Sequence, residues 1–144
     1  MIHILDTDVF TLAEYPSSPE FLRLRARIVE LVPEDRVATT IVTYEEQTRG
    51  WLAFAAKSRT IDHQIQAYAR LKRHLLNYLD FDILDFDSEA AERFEHLRSL
   101  KLRIATADLK IAAISLAQDA LLLSRNLRHF GQVPGLRVQD WTKP

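Results

Sequence analysis

Three acidic residues stand where short apolar segments end or helical segments begin. Asp6 closes the run Ile2–Leu5, with Asp8 two residues further on. Glu46 follows Thr43 by three residues, and Asp108 opens an alanine-rich segment. Ser124, Arg125 and Asn126 follow the apolar run 120–123. The chain has no cysteine, which excludes thiolate zinc centres and cysteine nucleophiles. Hard oxygen donors clustered in this way suit Mg²⁺ or Mn²⁺, ions that activate water and stabilise charge on a phosphoryl group.

Most of these residues also have a structural reading. An acid in a helix's first turn complements the macrodipole, which accounts for Glu46 and Asp108. Glu46 also sits at capping-box spacing from Thr43. Asp8 reads as a cap on the following turn and Asn126 as a turn residue. Asp6 differs, because a carboxylate at the end of a buried strand is costly unless paired or liganded.

The elements that must position these groups are legible from pattern. Ile2–Leu5 reads as a buried strand. Ser17 and Ser18, then Pro19 and Glu20, open a helix with Phe21, Leu24, Ile28 and Leu31 on one face, ended by Pro33. The stretch 36–42 is β-branched and reads as a second strand. A helix capped by Thr43 follows it. The stretch 61–79 predicts an amphipathic helix, with Ile61, Ile65, Tyr68, Leu71, Leu75 and Leu79 inward and Arg70, Lys72, Arg73 and His74 outward. Strand 81–86, helices 88–100 and 107–118, strand 120–123 and a short strand 136–139 complete the chain. His63, His74 and His96 read as solvated, and Trp51 and Trp141 as packing or interface residues.

Strands alternate with helices and no hairpin signal appears. The expected fold class is α/β, a three-layer sandwich with a mainly parallel four- or five-stranded sheet between helices. In such sheets ligands bind beyond the carboxyl ends of the strands, near the topological switch point.

With 144 residues the chain is expected to be one domain. Apolar residues at 47% and charged residues at 27% exclude disordered and low-complexity classes. A net charge of -1 gives no overall attraction for a polyanion, so any nucleic-acid contact must come from local patches. The apolar stretch 111–117, broken by Ser115, is far too short to span a membrane. The N-terminus has no signal-peptide pattern, and cytoplasmic residence is the default expectation.

Taken together, the motifs resemble those of the PIN-domain ribonucleases, and among them the VapC-like toxins of toxin–antitoxin pairs. The resemblance runs from residue 2 to residue 141. Ile4, Leu5, Asp6, Thr7, Asp8 and Val9 look like the family's first strand ending in its first catalytic aspartate. The stretch Thr43, Tyr44, Glu45, Glu46, Gln47, Thr48, Arg49, Gly50 matches its threonine–glutamate–glycine spacing, and Gly50 selects Glu46 over Glu45. Asp108 to Ala113 is similar to its third-acid helix. Ser124 to Phe130, followed by 133–136 and Asp140 with Trp141, resembles its C-terminal signature.

The resemblance implies metal-dependent RNA cleavage with catalytic residues Asp6, Glu46, Asp108 and Asn126. Asp6, Asp108 and Glu46 would hold Mg²⁺ or Mn²⁺, and Ser124, Arg125 and Arg128 would contact substrate. It also implies an RNA substrate, an antitoxin partner and a homodimer, with no membrane association. The sequence departs from the pattern at Asn126, an amide where a fourth acid is frequent, and at His129, where an acid can occur. A haloacid-dehalogenase-like phosphatase fits Asp6 and Asp8 but lacks the late acidic pair. A receiver-like module lacks a suitably placed lysine. A PIN fold without activity, serving only to bind a partner, is a third reading.

A partner surface is expected on the helix after Glu46. Trp51, Leu52 and Phe54 there, with the helix from Ser17, would form a groove for an antitoxin segment or a second copy.

Overall fold

In the computed structural model, which describes all 144 residues, the strands and helices alternate as expected. Strand β1 (Ile2–Leu5) leads into a one-turn helix α1 (Thr7–Phe10), a 3₁₀ turn (Thr11–Glu14) and helix α2 (Pro19–Ile28). Strand β2 (Arg36–Thr40) is followed by α3 (Ile41–Ala56) and α4 (Ile61–Asn77). Then come β3 (Asp82–Leu84), α5 (Ser88–Ser99), α6 (Thr106–Ala117), β4 (Leu121–Leu123), the one-turn helix α7 (Leu127–Phe130) and β5 (Arg137–Gln139).

The five strands form one sheet in the order β3-β2-β1-β4-β5, and every pairing is parallel. The chain builds outward from β1 to β3, then crosses to β4 on the other side of β1. The switch point therefore lies between β1 and β4.

Side-chain alternation along the strands divides the core into two layers. Ile4, Ala38, Leu84 and Leu122 face one side, where they meet Phe94 and Leu97 of α5, Leu109, Ile111 and Ala112 of α6, and Phe130. Leu5, Val37, Ile83, Leu121 and Leu123 face the other, against Val9, Phe10, Leu24 and Trp141. Trp141 is a packing residue. Its ring lies 5.2 Å from that of His3, and the Arg27 guanidinium sits 4.4 Å above it. No helix is long and apolar enough to cross a membrane.

Three sequence expectations need correction. First, β2 stops at Thr40 rather than Val42, and Thr40 caps α3 by accepting from the Thr43 amide at 3.1 Å. Thr43 is thus inside the first turn and Glu46 in the second, so Glu46 has neither a capping-box nor a first-turn dipole role. Second, α4 presents the opposite face to that expected. Ile61, Ile65, Tyr68, Leu75 and Leu79 are exposed, while Ala67 and His74 are buried. Small Ala67 permits close approach to α3, and the His74 ring shares a 2.6 Å hydrogen bond with Thr48 and stacks on Tyr44. Burial of the imidazole lowers its pKa, partly opposed by the Glu14 charge. Third, α2 covers the β1–β2 face through Phe21, Leu24 and Ile28, while α3 takes α4 as its packing partner.

The inversion of α4 separates core from surface in a measurable way. Leu122→Ala, at a fully buried site, is expected to cost about 2–5 kcal/mol in urea unfolding. Ile65→Ala, at a site 62% exposed, should change stability by no more than about 0.5 kcal/mol. A large loss at Ile65 would place that face inside the core.

Candidate active site

The carboxyl ends of β1 and β4 meet at the switch point, and Asp6 and Ser124 are the first residues beyond them. The Asp6 amide donates to the Leu123 carbonyl at 3.0 Å, which extends the β1–β4 pairing by one step. Asp6 then caps α1, its Oδ1 accepting from the Thr7 amide at 2.8 Å. Its Oδ2 accepts from the Ser124 hydroxyl at 2.8 Å. Ser124 Oγ in turn accepts from the Asn126 amide at 2.9 Å. Both residues are buried, and backbone and side chain together leave Asp6 one orientation.

Glu46 reaches the same place from α3. Its Oε1 accepts from the Thr7 hydroxyl at 2.7 Å, one residue along from Asp6. Glu45 points elsewhere and pairs with exposed Arg49, so of the two acids it is Glu46 that the structure brings beside Asp6. Asp108 sits in the first turn of α6 and is half-buried. Burial raises its pKa, the charges of Glu46 and Asp8 raise it further, and His129 opposes them.

Asp8 is the group the sequence reading misplaced. It caps nothing; Asp6 is the cap. Its Oδ2 accepts from Arg125 Nε at 3.1 Å, and its Oδ1 is buried without a partner. Its charge also acts on Asp6. Burial, and then the Asp8 charge, push Asp6 up to about 8 against the lowering effect of the Ser124 bond. The signal for Asp8 was its two-residue separation from Asp6, the residue that directly follows β1, which brings both carboxylates to one strand end.

The remaining candidates divide. Asn126 turns its amide toward His129 Nδ1 at 2.9 Å, so these two departures from the family pattern are partners of each other. Gly131 closes α7 beneath them, because a Cβ there would meet the Leu127 carbonyl oxygen at 2.7 Å. Arg125 is committed to Asp8, whereas Arg128 is exposed and free of ion pairs.

The donor set is four carboxylates, one with an orphaned buried oxygen, and no thiol or closely packed imidazole cluster. No three acidic or imidazole side chains stand close enough together, as placed, to hold a metal ion. The chemistry of the donors nonetheless suits a hard divalent cation, since positive charge would offset the burial, and then the neighbouring acidic charges, that raise Asp6 and Asp108.

Comparison with known proteins bears on the family and the fold. The PIN-domain family model matches residues 4–136. The chain is similar to Ribonuclease VapC1 of Haemophilus influenzae (strain R2866), 28% identical over 99% of this chain and 100% of that protein. A shorter stretch is 31% identical to the tRNA(fMet)-specific endonuclease VapC of Salmonella typhimurium, over 42% of this chain and 48% of that one. Among solved structures, VapBC-1 from nontypeable Haemophilus influenzae superposes with a TM-score of 0.70 at 25% identity, covering 99% of this chain and 100% of that chain.

The raised Asp6 gives a signed pH dependence. The unfolded carboxyl releases its proton near 3.8, and the folded one keeps it to about 8. In that window the folded state binds the extra proton, so stability falls as pH rises. In chelator, wild-type melting temperature should therefore decline from about pH 4 to about pH 8 more steeply than that of Asp6→Asn, and the variant should be the more stable at the upper end. Parallel curves would contradict the shift.

Proposed function

The chain belongs to the PIN-domain family, and on that premise we propose that it is a metal-dependent endoribonuclease, the toxin of a toxin–antitoxin pair. The whole chain would serve as a single PIN-like domain. The observation that carries the reading is the gathering of Asp6, Asp8, Glu46 and Asp108 at the switch point of a parallel sheet, with the buried Asp8 Oδ1 left unpartnered. Family membership removes the phosphatase and receiver alternatives.

Asp6, Glu46 and Asp108 would hold Mg²⁺ or Mn²⁺, and Asp8 joins them as a fourth carboxylate. Such an ion, when bound, supplies Lewis acidity toward a phosphoryl oxygen and lowers the pKa of a coordinated water. The rest is done by the chain's own groups. Ser124 holds the Asp6 carboxylate in one orientation. Thr7 does the same for Glu46. Asn126, steadied by His129, would orient a water at the rim of the site. Arg128 would contact a backbone phosphate of the RNA, and Arg125 would join it when released from Asp8. No covalent intermediate is needed, since hydrolysis of a phosphodiester is served by positioning and charge stabilisation.

An antitoxin partner is supported by a relative solved as a member of the VapBC family of toxin–antitoxin systems, VapBC-5 from Mycobacterium tuberculosis. The surface it would cover lies on α3 and α4, which leave the apolar side chains Leu52, Phe54, Ile65 and Tyr68 exposed. This replaces the expected groove between α2 and α3. A homodimer would use the same kind of surface, and residence in the cytoplasm accords with such a role.

The test is cleavage of total RNA by the purified protein with Mg²⁺, with Mn²⁺ and with chelator. Wild type should cleave only with a divalent ion. Asp6→Asn, Glu46→Gln and Asp108→Asn should each lose about 100-fold or more in rate. Cleavage that survives chelation, or that all three variants retain, would overturn the metal-dependent reading. A folded wild type that cleaves nothing while binding its antitoxin would favour the inactive-module reading.

A further inference from the structure

Glu46 and Asp108 are the two acids of the cluster that come from neither β1 nor the residues flanking it, and Glu46 is held there by a single hydrogen bond, from Thr7. We infer that Thr7 is a positioning residue, which aims the Glu46 carboxylate as the last, half-buried link of a one-way chain of hydroxyls that begins at buried Thr40 and Thr43. The order of donation follows from what each group can accept. Thr40 Oγ1 accepts from the Thr43 amide at 3.1 Å, and its hydroxyl donates to Thr43 Oγ1 at 3.3 Å. Thr7 has one proton, and it is donated to Glu46 Oε1 at 2.7 Å. The 3.0 Å contact between Thr7 and Thr43 must then run from Thr43 to Thr7. Each donor is polarised by the next, and Thr40 and Thr43 have no exposure to water that would compete.

Thr7 is itself braced from the other side. Its carbonyl accepts from the Thr11 hydroxyl at 2.8 Å, and Thr11 Oγ1 accepts from the Gln47 amide at 2.9 Å. Gln47 Oε1 accepts from the buried Tyr78 hydroxyl at 2.6 Å. Glu46 and its neighbour Gln47 on α3 are therefore both tied to the α1 segment, one directly and one through Thr11. A rotation of α1 against α3 would break both ties together. The methyl group of Thr7 has no part in this chain, so the hydroxyl alone carries the role.

The task given to Glu46 rests on the ribonuclease reading, but the tether does not, and the test separates them. Thr7→Val keeps the shape and Thr7→Ala keeps helical preference; both remove the hydroxyl, while Thr7→Ser retains it. Crystal structures without metal should show the Glu46 carboxylate displaced in the Val and Ala variants and in place in the Ser variant. With Mg²⁺, the Val and Ala variants should lose about 10–100-fold in kcat with KM for RNA unchanged, and Ser should recover to within about threefold of wild type. Cation-dependent melting should weaken in the same order. Glu46 unmoved in both Val and Ala, or Ser as defective as Val, would overturn the inference. A wild type that cleaves no RNA would overturn the ribonuclease reading, while a displaced Glu46 in the Val or Ala crystal would still support the tether.

Discussion

Four carboxylates crowd the ends of β1, α3 and α6, and in a partly desolvated place their repulsion is not screened as it would be in water. Arg125 is the one arginine or lysine side chain in ion-pair contact with any of them, through Asp8. Much of the surrounding structure serves to hold these charges together in spite of that. The sheet fixes Asp6 by continuing the β1–β4 ladder through its amide. Ser124 and the α1 N-terminus supply donors to both of its oxygens. Thr7 supplies one to Glu46, and His129 faces Asp108. The protein accepts an unfavourable arrangement locally because the all-parallel, doubly covered sheet beneath it is well packed. Such local conflict is where a functional site is expected.

The strands that position the site were largely legible before the structure, for a simple reason. Ile2–Leu5, apolar except for buried His3, and the wholly apolar Leu121–Leu123 are largely buried on both faces, and each is followed at once by a polar residue. That abrupt change marked Asp6 and Ser124. Asp108 was marked by its place in the first turn of an almost wholly apolar helix. The one-turn helices α1 and α7 were not visible, because a single turn leaves no periodicity to read, and without α1 Asp8, though legible beside Asp6 after β1, read as the cap that Asp6 in fact supplies.

Helix α4 misled for a different reason. Its strongest apolar stripe is the face it shows to solvent, and its packing face is built from Ala67, His74 and the adjoining Tyr78. Periodicity finds the apolar stripe and does not say whether this chain or another protein covers it. His74 looked like a surface residue by composition, yet Thr48, Tyr44 and Tyr78 enclose it. Similarly, Thr43 looked like a cap because of its spacing to Glu46. The true cap is Thr40, and Thr43 serves instead in the hydroxyl chain behind the site.

The central claim is that these carboxylates form a divalent-cation site. Titration of the metal-free protein with sub-stoichiometric Mn²⁺, followed by paramagnetic broadening of backbone amide signals, tests it without reference to any substrate. The account predicts that Thr7, Asp8, Glu46, Asp108 and Ser124 broaden first, and that Asp6→Asn abolishes the effect. Broadening scattered over exposed acids such as Asp62 and Glu92, or unchanged in Asp6→Asn, would contradict it.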